Sequence, residues 1–381
     1  MRFLHLELGN WRNFKQVDVP LERRVFLVGP NAAGKSNLLD AFRFLRDLAD
    51  PQGGGFQRAV QSRGGVSQLR SLHARQYSSI VIRVELDLGD GEPWSYRLEF
   101  NQDKQRVPRV HSEVVRHGES VILSRPNRDD TTDQARLTQT HLEQVNANKK
   151  FRQVADFLSE VRYLHLVPQL VRDPNRSAGL KQDPFGGDFL EQLARMQKGN
   201  KKTFQSRLRR IGDALRVAVP QFKELDLQRD ERGVPHLRAL YEHWRPNAGW
   251  QNETQLSDGT LRLLGLLWVL LENDAPLLLE EPELSLHSAV ARHVPSMMYK
   301  ISRKSGRQVI VSTHSADLLS DSGIGASEVL MLTPTEKGTT AMQASRDAQI
   351  RALLSEALPI AEAVLPRTAP RNANQLSLFA D

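Results

Sequence analysis

The stretch GPNAAGKS, residues 29 to 36, decides the fold of the first part of this chain. It follows the apolar run VFLV and precedes NLLDAFRFLRDL, in which apolar residues recur at helical spacing. The stretch matches G-x-x-x-x-G-K-[ST] between a strand and a helix, which is the context in which this pattern holds phosphate. The sequence therefore predicts a phosphate-binding loop at the start of an α/β domain.

The residues of this loop have separate predicted tasks. Gly29 and Gly34 let the backbone curl so that its N–H groups face the phosphates of a nucleotide. Lys35 reaches the β and γ phosphates, and Ser36 supplies a hydroxyl to Mg²⁺. ATP and Mg²⁺ are the expected ligands. The predicted nucleotide-binding residues of the loop are Gly29, Pro30, Asn31, Ala32, Ala33, Gly34, Lys35, Ser36 and Asn37.

Composition limits the class of protein. The chain has 381 residues, a formal net charge of +7 and no cysteine, which excludes disulfides, thiolate zinc sites and a cysteine nucleophile. The basic balance suits a phosphate-rich partner, but it is equally typical of a solvated basic surface. The longest apolar run, LLGLLWVLL, is too short to span a bilayer, and the N-terminus lacks a signal-peptide pattern. We expect a cytoplasmic protein without a membrane anchor.

The pattern along the chain predicts four regions. Alternation in SSIVIRVELDLGDGEPWSYRLEFN predicts an antiparallel hairpin, extended by VHSEVVRHGESVIL, beside the phosphate-loop strand. A basic helix in the middle, KKTFQSRLRRIGDALRVAV, is either a solvated outer face or a DNA contact. The expected regions are a first ATPase lobe at 1–130, a mostly helical insertion at 131–250, a second lobe at 251–365 and a disordered tail at 366–381.

A second motif, LLLEEPE at residues 277 to 283, is an apolar strand that ends in acidic residues. Nucleotide sites place a carboxylate for Mg²⁺ at such a strand end, where Glu280 stands, and a group that orients the attacking water, where Glu281 stands. The other interpretation is a buried strand with a charged end. Glu280 is one methylene longer than the usual Asp, so the cation shell must shift or the strand must sit further back. The motif predicts Glu280 as a metal ligand and Glu281 as a catalytic residue.

Two shorter motifs flank this strand. LSDGT at residues 256 to 260 precedes an apolar helix, and taken alone it is a helix start with Ser257 or Asp258 as the N-cap. STHS at residues 312 to 315 ends an apolar strand, and His314 taken alone is a structural histidine. Each of these two motifs has a second interpretation when it is considered together with GPNAAGKS and LLLEEPE.

The set GPNAAGKS, LSDGT, LLLEEPELSLH and STHS, in this order, resembles the SMC/RecF/OLD group of ABC-type ATPases. The opening LELGNWRNF is similar to the first strand of that group. The match has specific motifs over residues 1–48 and 250–335 and only a matching layout between them. The resemblance implies an α/β ABC-type head with a P-loop core sheet, an antiparallel β lobe and an inserted helical region. It also implies that two heads pair head to tail and enclose two ATP molecules.

The resemblance also implies roles for single residues. Arg12 lies near the nucleotide, and Gln169 is a candidate ligand of Mg²⁺ and water. His314 is the switch histidine, a catalytic residue that either senses the γ-phosphate or holds the attacking water. ELSLH at residues 283 to 287 occupies the position of the dimer-contacting D-loop. The signature loop faces the γ-phosphate bound by the opposite protomer, and its residues are Leu256, Ser257, Asp258 and Gly259.

Two missing patterns narrow the group. No sustained heptads are present for the long coiled-coil arm of an SMC protein. No D-x-D follows His314, as a TOPRIM nuclease domain would require. The expected function is an ATP-dependent dimerisation switch in DNA repair or replication. The alternatives are the ATPase subunit of an anti-phage defence pair, acting with a separate nuclease or toxin, and a transporter ATPase, which usually has a shorter spacing between phosphate loop and signature.

The C-terminal segment contains QLSLF at residues 375 to 379, which matches the pentapeptide that docks on bacterial sliding clamps. In such a peptide Leu378 and Phe379 fill an apolar pocket, and Gln375 hydrogen-bonds at its rim. The same side chains, together with Leu376, would serve equally if the tail packs on its own body. The sequence predicts a clamp-docking peptide on a flexible tether.

Overall fold

The computed structural model describes residues 1–74, 79–173, 183–245 and 249–369. Its strands are β1 Arg2–Trp11, β2 Phe14–Pro20, β3 Arg24–Val28, β4 Ile80–Asp87, β5 Trp94–Gln102, β6 Pro108–His117, β7 Ser120–Arg125, β8 Arg162–Leu164, β9 Phe222–Arg229, β10 Pro235–Tyr241, β11 Trp250–Asn252, β12 Leu277–Glu280, β13 Val309–Thr313, β14 Val329–Thr335 and β15 Gly338–Gln343. Its helices are α1 Lys35–Ala49, α2 Phe56–Gln61, α3 Val66–Leu69, α4 Arg128–Thr132, α5 Arg152–Ser159, α6 Pro168–Arg172, α7 Phe189–Gly199, α8 Lys201–Ala218, α9 Asp258–Leu270, α10 Ser288–Ala291, α11 Val294–Ser305, α12 Ala316–Leu319, α13 Ala348–Ser355 and α14 Ile360–Thr368.

The chain divides into two compact units. Unit 1 contains the described residues of Met1–Arg162, Asp274–Leu278 and Ser302–Asp381, and unit 2 those of Tyr163–Asn273 and Leu279–Ile301. Strands β8 and β12 therefore begin in unit 1 and end in unit 2. This division differs from the four regions expected from the sequence, which remain a prediction.

A sheet in unit 1 is built around β3, all five residues of which are buried. The sheet has the order β15-β14-β3-β13-β12-β8. Strands β13 and β14 both pair with β3 in parallel, and Thr313 lies opposite Val28. The start of β12 joins through the N–H of Leu277, which donates to Gln308 O at 2.9 Å. The expectation that the N-terminal and C-terminal parts share one sheet is therefore confirmed.

An antiparallel sheet in unit 1 has the order β2-β1-β4-β5-β6-β7. Every second residue of β4 is buried, as expected for a strand with one face on the core. The predicted hairpin of β4 and β5 and its extension by β6 and β7 are confirmed. The core beneath contains Phe3, whose ring centroid lies 4.7 Å from Phe42 and 5.1 Å from Phe157.

Unit 2 packs helices α7, α8 and α9 with a three-stranded sheet, β11-β10-β9. Phe204 and Phe189 contact the Trp268 ring at centroid distances of 6.2 and 6.4 Å. The predicted basic helix is α8, which buries Phe204 and Ile211. Within the region 131–250, which was expected to be mostly helical, residues 222–229 and 235–241 form strands β9 and β10. The basic side chains of α8 that were predicted to lie outside the core are exposed: Lys201, Lys202, Arg209, Arg210 and Arg216.

The C-terminal helix α14 extends beyond the expected domain end. The tail was expected to start at residue 366, yet Pro366 lies inside α14, which continues to Thr368. Burial of Ile360, Val364 and Thr368 explains why this short helix is retained. In the part of the chain that the structure describes, no helix is long and apolar enough to cross a bilayer.

Candidate functional site

The phosphate loop in unit 1 has the predicted strand, loop and helix context. Strand β3 ends at Val28 and helix α1 begins at Lys35. Ala32 and Gly34 have φ angles of 64° and 96°, so the chain curls through left-handed conformations before the helix. A Cβ on Gly29 would lie 2.7 Å from Leu332 O, which leaves no room for a side chain. Left-handed residues ahead of a helix N-terminus are typical of a cradle that binds phosphate through backbone N–H groups.

Lys35 is positioned at the centre of this cradle. Its side chain is buried, and its Nζ donates to Gly29 O at 3.0 Å and to Pro30 O at 3.2 Å. The ammonium group therefore contacts the first two residues of the loop. Phosphate oxygens are stronger hydrogen-bond acceptors for it than these neutral carbonyl oxygens. Ser36 follows with an exposed residue position at the first turn of α1. Both side chains fit the binding of a nucleotide with its Mg²⁺.

Asn13 fixes the loop from the turn between β1 and β2, and the sequence analysis missed it. Its Nδ2 donates to Ala33 O at 2.9 Å and to Thr339 Oγ1 at 2.8 Å, and its Oδ1 accepts from Asn37 Nδ2 at 2.8 Å. A Cβ on Gly34 would overlap the Asn13 amide. The WRNF turn could have indicated this role, because a short amide beside a glycine-rich loop can satisfy its backbone groups.

Arg12 lies beside helix α1. Its Nη2 donates to Asp40 Oδ2 at 2.8 Å, and Arg63 also contacts Asp40, at 3.0 Å. Burial alone would raise the pKa of Asp40, but the two guanidinium groups together hold this pKa below its ordinary value. Arg12 thus has a structural partner one turn into α1, and its predicted contact with the nucleotide remains a prediction.

An open cleft of about 720 Å³ adjoins the first half of the phosphate loop. Its lining includes Gly29, Pro30, Asn31 and the exposed His314. His314 reaches this position because Thr313 pairs with Val28, so the residues after β13 and β3 leave the sheet side by side. The structure therefore brings the predicted switch histidine next to the phosphate loop. The remaining lining residues are Thr333, Pro334, Leu365, Arg367, Thr368 and Ala369.

The predicted signature loop lies in unit 2 at the start of α9. Ser257 is the N-cap, and its Oγ accepts from the N–H of Thr260 at 3.2 Å. Arg172 donates to Leu256 O at 2.7 Å and to Asp258 Oδ1 at 2.6 Å, and it was not foreseen from the sequence. The interpretation of this motif as a helix start is confirmed. Its role opposite a second protomer remains a prediction.

The signature loop and the predicted D-loop touch within unit 2. A Cβ on Gly259 would lie 2.5 Å from Ser285 O, so only glycine allows this approach. Ser285 itself has a φ angle of 61°, in the left-handed region. Since non-glycine residues rarely adopt this conformation, the backbone of this segment is held by its neighbours.

The acidic strand end of β12 has partners within unit 2. Tyr163 donates its hydroxyl proton to the Glu280 carboxylate, and His165 Nδ1 lies 3.3 Å from Glu280 O. Glu281 follows with a φ angle of 44°, which is unusual for a residue with a side chain. Strain of this kind is common at functional sites. The sequence pattern does not predict that Tyr163 and His165 contact Glu280.

One family model matches most of the chain. The model is described as "AAA domain, putative AbiEii toxin, Type IV TA system" and matches residues 24–321. The chain belongs to this AAA-domain family. The match includes the phosphate loop, the signature loop, the acidic strand end and His314 of the AAA-domain chain.

Curated relatives are similar over shorter stretches. The DNA replication and repair protein RecF of Synechocystis sp. is 33% identical over 103 residues, which cover 27% of this chain and 26% of that protein. The RecF protein of Streptomyces avermitilis is 32% identical over 125 residues, 30% of either chain. The AAA-domain chain thus spans less than a third of the length of these curated relatives.

Solved structures of SMC heads share the fold. An SMC head bound to the C-winged helix domain of ScpA matches with a TM-score of 0.56 at 13% identity, over 90% of this chain and 98% of that chain. An SMC head with an extended coiled coil, bound to a ScpA domain derived from Pyrococcus furiosus, matches with a TM-score of 0.55 at 13% identity, over 93% and 99%. The expected α/β class and the similarity to SMC heads and RecF are confirmed.

Two predicted sites of the AAA-domain chain cannot be assigned to a pocket. Gln169 is exposed on α6, and its role as a ligand of Mg²⁺ remains a prediction. The clamp-docking residues Gln375, Leu376, Leu378 and Phe379 lie outside the described residues.

Among the residues that the structure describes, there is no group of three or more His, Asp or Glu side chains placed to hold a metal ion. A Mg²⁺ that is bound mainly by phosphate and water needs only one or two protein ligands.

Proposed function

We propose that this protein binds and hydrolyses ATP and acts as an ATP-dependent dimerisation switch. The observation that carries the proposal is the phosphate loop, in which Lys35 and the left-handed residues Ala32 and Gly34 form a cradle at the start of α1. Membership of the AAA-domain family supports ATP as the nucleotide. Glycine at 29 and 34 is required by the packing of the loop itself, because a Cβ would clash with Leu332 O at position 29 and with the Asn13 amide at position 34.

Each motif has a step in this proposal. The loop N–H groups and Lys35 bind the phosphates, while Ser36 and Glu280 supply oxygen ligands for Mg²⁺. The metal, when bound, neutralises the phosphate charge. Glu281 orients the attacking water, and His314 contacts the terminal phosphate. The signature loop from Leu256 to Gly259 completes the site of a second copy, so that ATP joins two heads and hydrolysis releases them.

Two variants test the switch. Lys35→Ala should abolish ATP binding, and Glu281→Gln should bind ATP but accumulate a dimer because hydrolysis is blocked. Light scattering in saturating ATP would measure the mass of each variant, with ADP as the control nucleotide. A Glu281→Gln protein that stays monomeric in ATP would contradict the dimer, and a Lys35→Ala protein with unchanged ATP affinity would contradict the site.

The process served by the switch is proposed to involve DNA. The curated relatives are named DNA replication and repair proteins, although the similarity covers less than a third of each. The exposed basic side chains of α8 are suited to phosphate contacts. Fluorescence anisotropy with labelled duplex DNA, with and without ATP, tests this part. Charge reversal at Arg209 and Arg210 should weaken binding and reduce its salt dependence.

The tail is proposed to bring the protein to a sliding clamp through QLSLF. Deletion of residues 374–381 should remove binding to the clamp in a pull-down with purified components. Substitution of Leu378 and Phe379 by Ala should have the same effect, because these side chains would fill the apolar pocket. Absence of binding by the intact chain would exclude this partner.

A second candidate function is the ATPase subunit of a toxin or anti-phage defence system. The description of the matching family, which includes a toxin of a type IV toxin–antitoxin system, favours it. In that case the protein controls a separate nuclease or toxin effector. Copurification from the native host with and without ATP distinguishes the two functions, since a repair protein should recover replication partners and a defence protein should recover its effector.

A further inference from the structure

The lining of the cleft beside the phosphate loop includes the end of helix α14. Arg367 on this helix lines the same cleft as Gly29, Pro30, Asn31 and His314. We propose that Arg367 binds the terminal phosphate of the nucleotide and makes the site prefer ATP to ADP. This inference rests on the proposed binding of ATP at the phosphate loop, and it adds a residue that none of the sequence motifs includes.

Helix α14 is fixed firmly enough to carry a binding residue. It packs against β3, which leads into the phosphate loop, and against α12, which follows His314. Its buried residues include Ile360, Val364 and Thr368. Helix α14 thus contacts both the strand that leads into the phosphate loop and the helix that follows His314. Arg367 therefore has a defined place relative to the loop.

The Arg367 guanidinium is held in position by α13. Its Nη1 donates to Asp347 Oδ2 at 2.9 Å, and its Nη2 donates to Gln349 Oε1 at 2.6 Å. Asp347 is itself fixed, since its Oδ1 accepts from the N–H groups of Gln349 at 2.9 Å and Ile350 at 3.1 Å as the N-cap of α13. These two bonds use two of the five N–H donors of an arginine, which leaves donors for a phosphate. Prior positioning also reduces the rotamer entropy lost on binding.

The terminal phosphate is the part of the nucleotide that would meet Arg367. Lys35, which reaches the β and γ phosphates in such loops, donates its Nζ protons to Gly29 O and Pro30 O, and both of these residues line the cleft. A γ-phosphate bound by Lys35 would therefore lie at the cleft side of the loop. Guanidinium groups bind phosphate through two parallel hydrogen bonds, which gives both affinity and orientation. ADP lacks this phosphate and would not reach Arg367.

The affinities for ATPγS and ADP, measured with Mg²⁺ by isothermal titration calorimetry, test the inference. Arg367→Ala should weaken ATPγS binding about tenfold and leave ADP binding within about twofold of wild type, the expected range for one charged hydrogen bond. The affinity of Arg367→Lys for ATPγS should lie between those of wild type and Arg367→Ala. The control is Arg351→Ala on α13, which removes the same charge outside the cleft, where Arg351 donates to Ser345 O.

A merely structural role of Arg367 is tested by Gln349→Ala, which removes one tether of the guanidinium but keeps its charge. The proposal requires that Gln349→Ala retains the preference for ATPγS; a loss equal to that of Arg367→Ala overturns it. An unchanged ratio of affinities in Arg367→Ala also overturns it. If wild type binds neither nucleotide, or Lys35→Ala binds both like wild type, the proposed nucleotide site itself is wrong.

Discussion

The side-chain amide of Asn13 donates to the carbonyl oxygen of Ala33 at 2.9 Å, so a turn between the first two strands holds the phosphate loop. The same side chain accepts from Asn37 in the first turn of α1. A residue that contacts both the loop and the first turn of α1 limits the movement of the loop before any ligand is bound. The loop conformation is therefore prepared by tertiary contacts as well as by its glycines.

Substitution of Asn13 by Ala should weaken ATP binding while the protein remains folded. Loss of the bond to Ala33 leaves the loop free to adopt other conformations, and we expect an affinity decrease of about fivefold, which corresponds to about 1 kcal/mol. Isothermal titration with ATPγS measures it. Asn200→Ala is the matched control, because it also removes a hydrogen bond between an asparagine side chain and the backbone, here the one that Asn200 Oδ1 accepts from the N–H of Thr203 at the start of α8 in unit 2. An equal loss of affinity in both variants would show that general destabilisation is responsible.

Gly34→Ala should abolish nucleotide binding. Gly34 has a φ angle of 96°, and a Cβ there would overlap the Asn13 amide. Gly89→Ala is the control: Gly89 has a φ angle of 88°, but a Cβ there would meet no atom within 4 Å. The control should lower the free energy of unfolding by about 1 kcal/mol and leave ATP affinity unchanged. Retained binding by Gly34→Ala would mean that the loop does not need its present shape.

Tyr163→Phe should impair the use of Mg²⁺. The Tyr163 hydroxyl donates to Glu280, which is the proposed metal ligand, and such outer hydrogen bonds orient the ligand. We expect the Mg²⁺ concentration for half-maximal ATP hydrolysis to rise about tenfold. Tyr96→Phe is the matched control, because the Tyr96 hydroxyl donates to the buried Glu113 at 3.2 Å in the antiparallel sheet of unit 1. Equal Mg²⁺ requirements in wild type and Tyr163→Phe would contradict the proposal that Glu280 binds the metal.

The sequence predicts what depends on local pattern. The strand, loop and helix around GPNAAGKS follow from glycine conformations and helical spacing within about twenty residues. The contacts between site residues do not follow from local pattern. Tyr163 and Glu280 are 117 positions apart, and the sequence of neither segment indicates that it contacts the other. Arg367 was missed for the same reason, since it lies far from the phosphate loop in the sequence.

The three-stranded sheet of unit 2 was missed for a different reason. Strand β9 buries Phe222, Leu225 and Leu227, so its apolar residues are spaced by three and then by two. The pairing with β10 shifts register between Leu240 and Tyr241, opposite the start of β9. A bulge of this kind interrupts the two-residue period by which strands are recognised. The tertiary pairing, not the local pattern, determines the strand.

Glu143 gives a stability prediction that depends on pH. Burial raises the pKa of this carboxyl to about 7 from an ordinary 4.5, and its Oε2 accepts from the N–H of Phe56. Between these pH values folded Glu143 holds a proton that the unfolded chain has lost. Its contribution to the free energy of unfolding is therefore present below about 4.5 and is lost as pH rises towards about 7. The effect of neighbouring His141 is opposite, because burial lowers its pKa to about 4 and its contribution is lost as pH falls.

Glu143→Gln isolates the carboxyl from the histidine. The amide keeps an oxygen for Phe56 but cannot ionise, so the difference in unfolding free energy between wild type and variant should change with pH only through Glu143. We expect urea unfolding at pH 5, 6 and 7 to show wild type losing stability relative to the variant, by less than about 1.4 kcal/mol per pH unit because solvent screens this partly buried group. Glu119→Gln, at an exposed position, is the control for the substitution itself. Parallel curves for wild type and Glu143→Gln would show that the Glu143 carboxyl titrates at its ordinary pKa in the folded protein.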